Sequence, residues 1–248
     1  MSEVSVIYDK SVVDYDILPP FDPPQLFPEL SKFNYDVNSK NKIYEMVRNL
    51  LKFQFSNNEN IEGVNWNPFR NLINKGNQVL IKPNLVKHFH PLGEKAIIST
   101  ITNAAILRPI IDYIVIALDG TGRIIIADTP LEKTLFKKVI RISKIDKLIE
   151  FYKSFLNLNI ELYDLRSFQA IRSQNGKYSG DTLKLDGPPS GYTNIDLSDN
   201  SELAELDKFG NPDYYTLADH SIKPYEVRSK KRGKTNRREC YQGKTSKE

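Results

Sequence analysis

The strongest pattern along the chain is a run of three isoleucines. Residues 123–127 read Arg-Ile-Ile-Ile-Ala and are closed by Asp128-Thr129-Pro130, which predicts a short buried strand. Residues 78–81, Gln-Val-Leu-Ile, form a second apolar run cut off by Pro83, and predict another buried strand. Between them, residues 102–118 carry Ile106, Ile110, Tyr113 and Ala117 at helical spacing, with Pro109 in the first turns or at a kink. Asp119-Gly120-Thr121-Gly122 reads as the turn that follows. Strand, helix and strand in this order make a βαβ unit, for which a right-handed crossover is the rule.

The remaining pattern extends this α/β expectation. Residues 4–8, Val-Ser-Val-Ile-Tyr, alternate weakly and predict a first strand. Pro19, Pro20, Pro23, Pro24 and Pro28 then exclude helix and ladder, so an extended segment on the surface of the core is expected. Residues 41–55 place Ile43, Val47, Leu50 and Leu51 on one helical face, and polar residues 56–63 read as a loop. Trp66-Asn67-Pro68-Phe69 predicts a short helix that ends at Lys75-Gly76. Residues 132–157 read as helical, with Ser143 and Asp146 spaced to cap a second helix inside the stretch. Residues 160–163 read as a strand, Asn175-Gly176 as a hairpin turn, and residues 192–197 and 214–217 as further short strands. The fold class expected is α/β: a mainly parallel sheet with helices on both faces, then a β-richer region, then a disordered tail.

Charge divides the chain more sharply than composition does. Hydrophobic residues make up 40% and charged residues 27%, enough to build a packed core. The net charge is +4, yet from Lys223 onward ten Lys/Arg face three Glu, a balance of +7. The first 222 residues therefore carry 4 − 7 = −3. Two regions follow: 1–222, slightly acidic, and 223–248, a basic and disordered tail. The tail admits nucleic-acid contact through phosphates, but it carries only Tyr225 and Tyr241 without aromatic interleaving, which weighs against that partner. No stretch approaches the roughly 20 apolar residues of a spanning helix, and the N-terminus lacks the basic start and apolar run of a signal peptide. With one cysteine, Cys240, no internal disulfide can form, and a cytoplasmic protein is expected.

Three segments carry a likeness to a known family. Val79-Leu80-Ile81-Lys82-Pro83-Asn84-Leu85-Val86, Arg108-Pro109-Ile110-Ile111-Asp112-Tyr113 and Ile124-Ile125-Ile126-Ala127-Asp128-Thr129-Pro130 together resemble the domain of unknown function 362 family. The resemblance covers roughly residues 1–222 and implies the α/β fold more than any reaction. Members of that family often carry a Thr-His pair where this chain has Thr102-Asn103, and continue into a Pro-Lys-x-Lys-x-His-type segment that is absent here. The latter difference leads to the expectation of a truncated or frame-shifted product whose missing part a partner chain would supply. Some relatives hold iron–sulfur modules, which one cysteine cannot ligate.

The candidate chemistry lies where the two predicted strands end. Lys82 and Asn84 follow one strand, and Asp128 and Thr129 close the other; open α/β sheets bind ligands beyond such ends. Two readings stand side by side. In one, the four residues line a crevice for a small anionic ligand, Lys82 supplying the charge, with Lys82 and Asp128 the candidate catalytic pair if the protein is an enzyme. In the other, Lys82 pairs with Asp128, and Asn84 and Asp128 cap neighbouring turns. His88 and His90 are weak metal candidates in a loop; the only other histidine is His220. Gly-Lys-Thr at 233–235 and 243–245 lacks the earlier glycine of a phosphate loop, since Arg228 and Arg238 stand there. Residues Asp213, Asp219 and His220 are read as surface residues. Which cofactor the protein uses, if any, is left open by these residues.

Overall fold

The computed structural model describes residues 4–15, 17–55, 63–172, 178–192, 217–219, 226–231 and 234–239. The chain is α/β and divides into two units, Met1–Asp164 and Leu165–Glu248. The expected boundary after residue 222 lies outside the described residues.

The first unit is built on a parallel sheet. Strands β1 (Gln78–Ile81), β2 (Arg123–Asp128) and β3 (Ile160–Asp164) lie in the order β1-β2-β3. Helix α3 (Ala104–Leu118) connects β1 to β2; α4 (Phe136–Ser143) and α5 (Ile145–Leu156) connect β2 to β3. Helices α1 (Lys42–Phe55) and α2 (Glu94–Ile98) complete the unit. The three isoleucines make β2 the central strand: Ile124 and Ile126 enter the main core, and Ile125 on the other face is also buried. β1 lies on one side of the sheet and is not the buried strand expected. Gln78 and Leu80 are exposed while Val79 and Ile81 are half-buried, and among the described residues β1 pairs with β2 alone.

Helix α3 buries a different face from the one its isoleucines predict. Of the four residues on the expected face Tyr113 is buried, but Ile106, Ile110 and Ala117 are only half-buried, whereas Arg108, Ile111, Asp112 and Ile114 are buried. The helix is apolar almost all round, so periodicity cannot choose its inner face, and polar pairing chooses it instead. Pro109 lies in the interior of the helix. Asn103 starts it, its side chain accepting from the Ala105 amide at 2.9 Å.

Four further expectations change. Residues 4–8 form no strand; Val4, Val6 and Tyr8 point into solvent, and among the described residues no neighbouring strand offers its amides. The proline-rich segment does more than lie on the surface: Phe21, Phe27 and Leu30 are buried. Residues 66–76 make turns rather than a helix, because Asn67 accepts from the Phe69 amide and donates to the Tyr113 carbonyl. The helical stretch at 132–157 is two helices beginning at Phe136, and Ser143 does not cap the second. Its hydroxyl donates back to the Ile140 carbonyl, and the break falls on Lys144 in the left-handed region, φ 62°.

The second unit is β-rich. β4 (Phe168–Arg172) and β5 (Tyr178–Lys184) pair antiparallel, as a hairpin at Asn175-Gly176 requires, although that turn lies outside the described residues. β6 (Leu217–Asp219), β7 (Glu226–Lys231) and β8 (Lys234–Glu239) form a second antiparallel sheet. Two of these strands fall in the stretch expected to be a disordered tail: extended, highly charged chain still carries amides and carbonyls that can pair with each other. Of the expected strands at 192–197 and 214–217, only Tyr192 and Leu217 are described; His220, Asp213 and Cys240 also lie outside the described residues.

Candidate functional site

The parallel register decides what the strand ends bring together. Ile81 is level with Ile126 and Asp128 with Asp164, so β1 and β2 end on the same rim. Lys82, the first residue beyond β1, places its Nζ 2.6 Å from Asp128 Oδ1. The carboxylate is buried, 3% exposed, whereas the lysine side chain is 62% exposed. Asp128 Oδ2 accepts from the Leu85 amide at 2.8 Å. Each carboxylate oxygen is therefore engaged, one by an ammonium and one by the loop that follows β1.

That loop is fastened on both sides. The Asn84 amide donates to Thr102 Oγ1 at 2.9 Å, and the Thr102 amide donates to the Asn84 carbonyl at 2.8 Å, tying the loop to the approach of α3. The Val86 carbonyl accepts from the Leu131 amide and from Thr134 Oγ1, both at 2.9 Å. His88 Nδ1 accepts from the Leu135 amide at 3.0 Å, and His90 Nδ1 from the Leu92 amide at 3.1 Å. The two histidines therefore order loop backbone, and no group of three or more metal-ligating side chains occurs among the described residues.

Of the four residues marked in the sequence, Lys82 and Asp128 are in direct contact. The exposed Asn84 is anchored through its main chain, and its side chain reaches only a long 3.5 Å contact to the Thr100 carbonyl. Thr129 is exposed beside Asp128, and its side chain makes no hydrogen bond among the described residues. Lys87, half-buried in the same loop, has no ion pair among the described residues; its place three residues after Asn84 was the available signal. Asn103, standing where the resembled family often has His, is a helix cap.

The middle segment of the resemblance, Arg108 to Tyr113, does something else. Arg108, 0% exposed, donates through Nε to Asp112 Oδ2 at 3.0 Å and through Nη1 to the Pro20 carbonyl at 2.6 Å. Asp112 also accepts from the hydroxyls of Tyr35, Tyr44 and Tyr152 at 2.9, 2.7 and 2.7 Å. Tyr113 donates to Glu29, which Arg48 also meets at 2.7 Å. Burial, and then the Asp112 charge, holds the phenols of Tyr35, Tyr44 and Tyr152 above their ordinary range. For Arg108, burial alone would lower the pKa, but Asp112 together with Tyr152, Tyr35 and Tyr44 outweighs it, and the guanidinium is held above its usual value. The motif thus fixes the proline-rich segment to α3. It is a packing motif rather than part of the rim.

The fold and this rim define an α/β protein with a lysine–aspartate pair at the C-terminal ends of adjacent parallel strands. No family model, curated protein or solved structure matches the chain. Among the described residues, no helix is long and apolar enough to cross a membrane.

Proposed function

We propose that the rim beyond β1 and β2 binds a small anionic ligand. Lys82 meets its charge, Asn84 and Thr129 offer hydrogen bonds, and Lys87 adds a second cation. One observation carries this reading: the Lys82 ammonium is held 2.6 Å from a buried carboxylate while its side chain stays 62% exposed. An ammonium has three donors, and Asp128 takes one, so the others are available to a ligand in a fixed position. Asp128 acts as the anchor of Lys82, because both of its oxygens are engaged. The resemblance to the domain of unknown function 362 family and a cytoplasmic location accompany this reading as parts of the proposal.

Inorganic phosphate is the simplest probe. Titration by calorimetry should show saturable binding that Lys82→Ala weakens by about tenfold, the loss of one charge-assisted contact. The same change should matter less at high salt, since the ammonium is in contact with water. Equal affinity in the parent and Lys82→Ala proteins would rule the site out.

A second reading is favoured by the exposed side of β1. Leu80 is 59% exposed on a strand paired on one side only among the described residues, so a partner chain adding a strand there is the alternative. Light scattering that finds a monomer at high concentration would remove it.

A further inference from the structure

A cavity of about 820 Å³ opens in the first unit, between the segment before the prolines and helices α1, α2 and α3. Its walls are mostly aliphatic, with Val12, Met46, Val47, Ile98 and Ile106 among them. Val12, Val47 and Ile106 pack against the main core with one side and remain half-exposed with the other. The outer wall is latched in place: Lys42 on α1 donates to Ser11 Oγ at 2.8 Å and stands 3.8 Å from Asp9. The volume lies within the roughly 300–1,000 Å³ of small-molecule clefts.

The polar groups on the lining select the ligand class. Lys95 is exposed, and its side chain has no hydrogen bond or ion pair among the described residues. Among the described residues, Asp14 is the one acidic group on the lining, and its Oδ1 already accepts from the Tyr15 amide at 2.6 Å. Ser99 and Tyr15 supply the remaining polar surface. An apolar trough with an unpaired cation on its lining matches an alkyl chain that ends in an anion.

We infer that this cavity binds a single-chain anionic amphiphile, the chain lying along Val12, Val47 and Ile106 and the carboxylate meeting Lys95. The site is separate from the rim at Lys82 and stands whether or not that rim binds an anion. Covering the half-exposed aliphatic walls removes apolar area from water and supplies the affinity, while Lys95 supplies the preference for a negative head.

Calorimetric titration with decanoate, decanol and decylamine below their micellar ranges tests the assignment. Decanoate should bind saturably and more tightly than decanol. Lys95→Gln should weaken decanoate by about two- to fivefold, as expected for an exposed ion pair, and leave decanol unchanged. Val47→Trp should fill the trough and abolish decanoate binding while phosphate binding persists. The surface change Lys95→Gln keeps the test decisive if the tryptophan variant does not fold. Absence of decanoate binding, tighter binding of decylamine, displacement of decanoate by phosphate, or equal decanoate affinity in the parent and Lys95→Gln proteins would each overturn the inference. So would a dimer that Val47→Trp dissociates, since a second copy would then be the occupant.

Discussion

Asp112 concentrates more interactions than any residue marked from the sequence. Arg108 and three tyrosine hydroxyls converge on it at 0% exposure. Removing one partner of a buried ion pair leaves the other charged and unpaired, which costs about 3–5 kcal/mol. Asp112→Ala is therefore expected to lower the urea-unfolding free energy by that amount. Arg108 Nη2 has no acceptor among the described residues, but the guanidinium lies 4.2 Å from the Phe151 ring centroid and 4.5 Å from that of Tyr35, which offsets part of the loss. The tyrosines give a pH signature. Tyr35, Tyr44, Tyr113 and Tyr152 are held above the ordinary value of 10.0, first by burial and then by Asp112 or, for Tyr113, Glu29. The unfolded chain therefore releases these protons first, and the stability they contribute is complete below pH 10 and lost above it. Absorbance at 295 nm should show these phenols ionising together with loss of the folded circular dichroism signal; early, reversible ionisation of all tyrosines would contradict this. Lys82 and Asp128 were legible because each closes a strand. The role of Asp112 was not, because its partner Tyr35 stands 77 residues away and nothing local in a helix reports such a partner.

Elements were legible where one strong local cause fixes them. The isoleucine run made β2, residues 41–55 contained α1, and the Gly-rich turn after α3 is where it was expected. Residues 4–8 and 66–76 were misread because the first finds no neighbouring strand among the described residues and the second is set by Asn67 bonds to turn and helix backbone. The turn after α3 tests how local that cause is. Gly120, φ 73°, has open space where a Cβ would stand, whereas a Cβ on Gly122, φ 79°, would meet the Asn77 carbonyl oxygen at 2.3 Å. Gly120→Ala should therefore cost about 1–2 kcal/mol, the left-handed penalty alone. Gly122→Ala should cost clearly more, because backbone must move as well. Equal midpoints for the two variants in thermal unfolding would show that the Asn77 contact yields freely. Caps provide a matched pair: Asn103→Ala should lose about 1 kcal/mol, while Ser143→Ala should not show the loss of an N-cap, its hydroxyl being bonded backwards to Ile140.

At the scale of the molecule, the question is which part of the chain holds the stability. Every buried residue of the two hydrophobic clusters lies between Phe21 and Ile160, and the partly buried residues packed on them end at Leu162. Both parallel strand pairs and the Arg108–Asp112 network also lie before Leu165. The two hydrophobic clusters and the Arg108–Asp112 network, as described, are thus made by residues of the first unit. A chain that ends at Asp164 keeps all of these and is expected to unfold in one cooperative step. Its midpoint should lie within about 4 °C of the parent first-unit transition, which corresponds to a change of about 1 kcal/mol. Differential scanning calorimetry on both chains decides it. A broad transition in the shorter chain, or binding of a dye to exposed apolar surface at neutral pH, would mean that residues beyond 164 complete the core. The same chain retains Lys82 and Lys95, so phosphate and decanoate titrations on it would then separate two causes of failure, a wrongly assigned site and an incomplete fold.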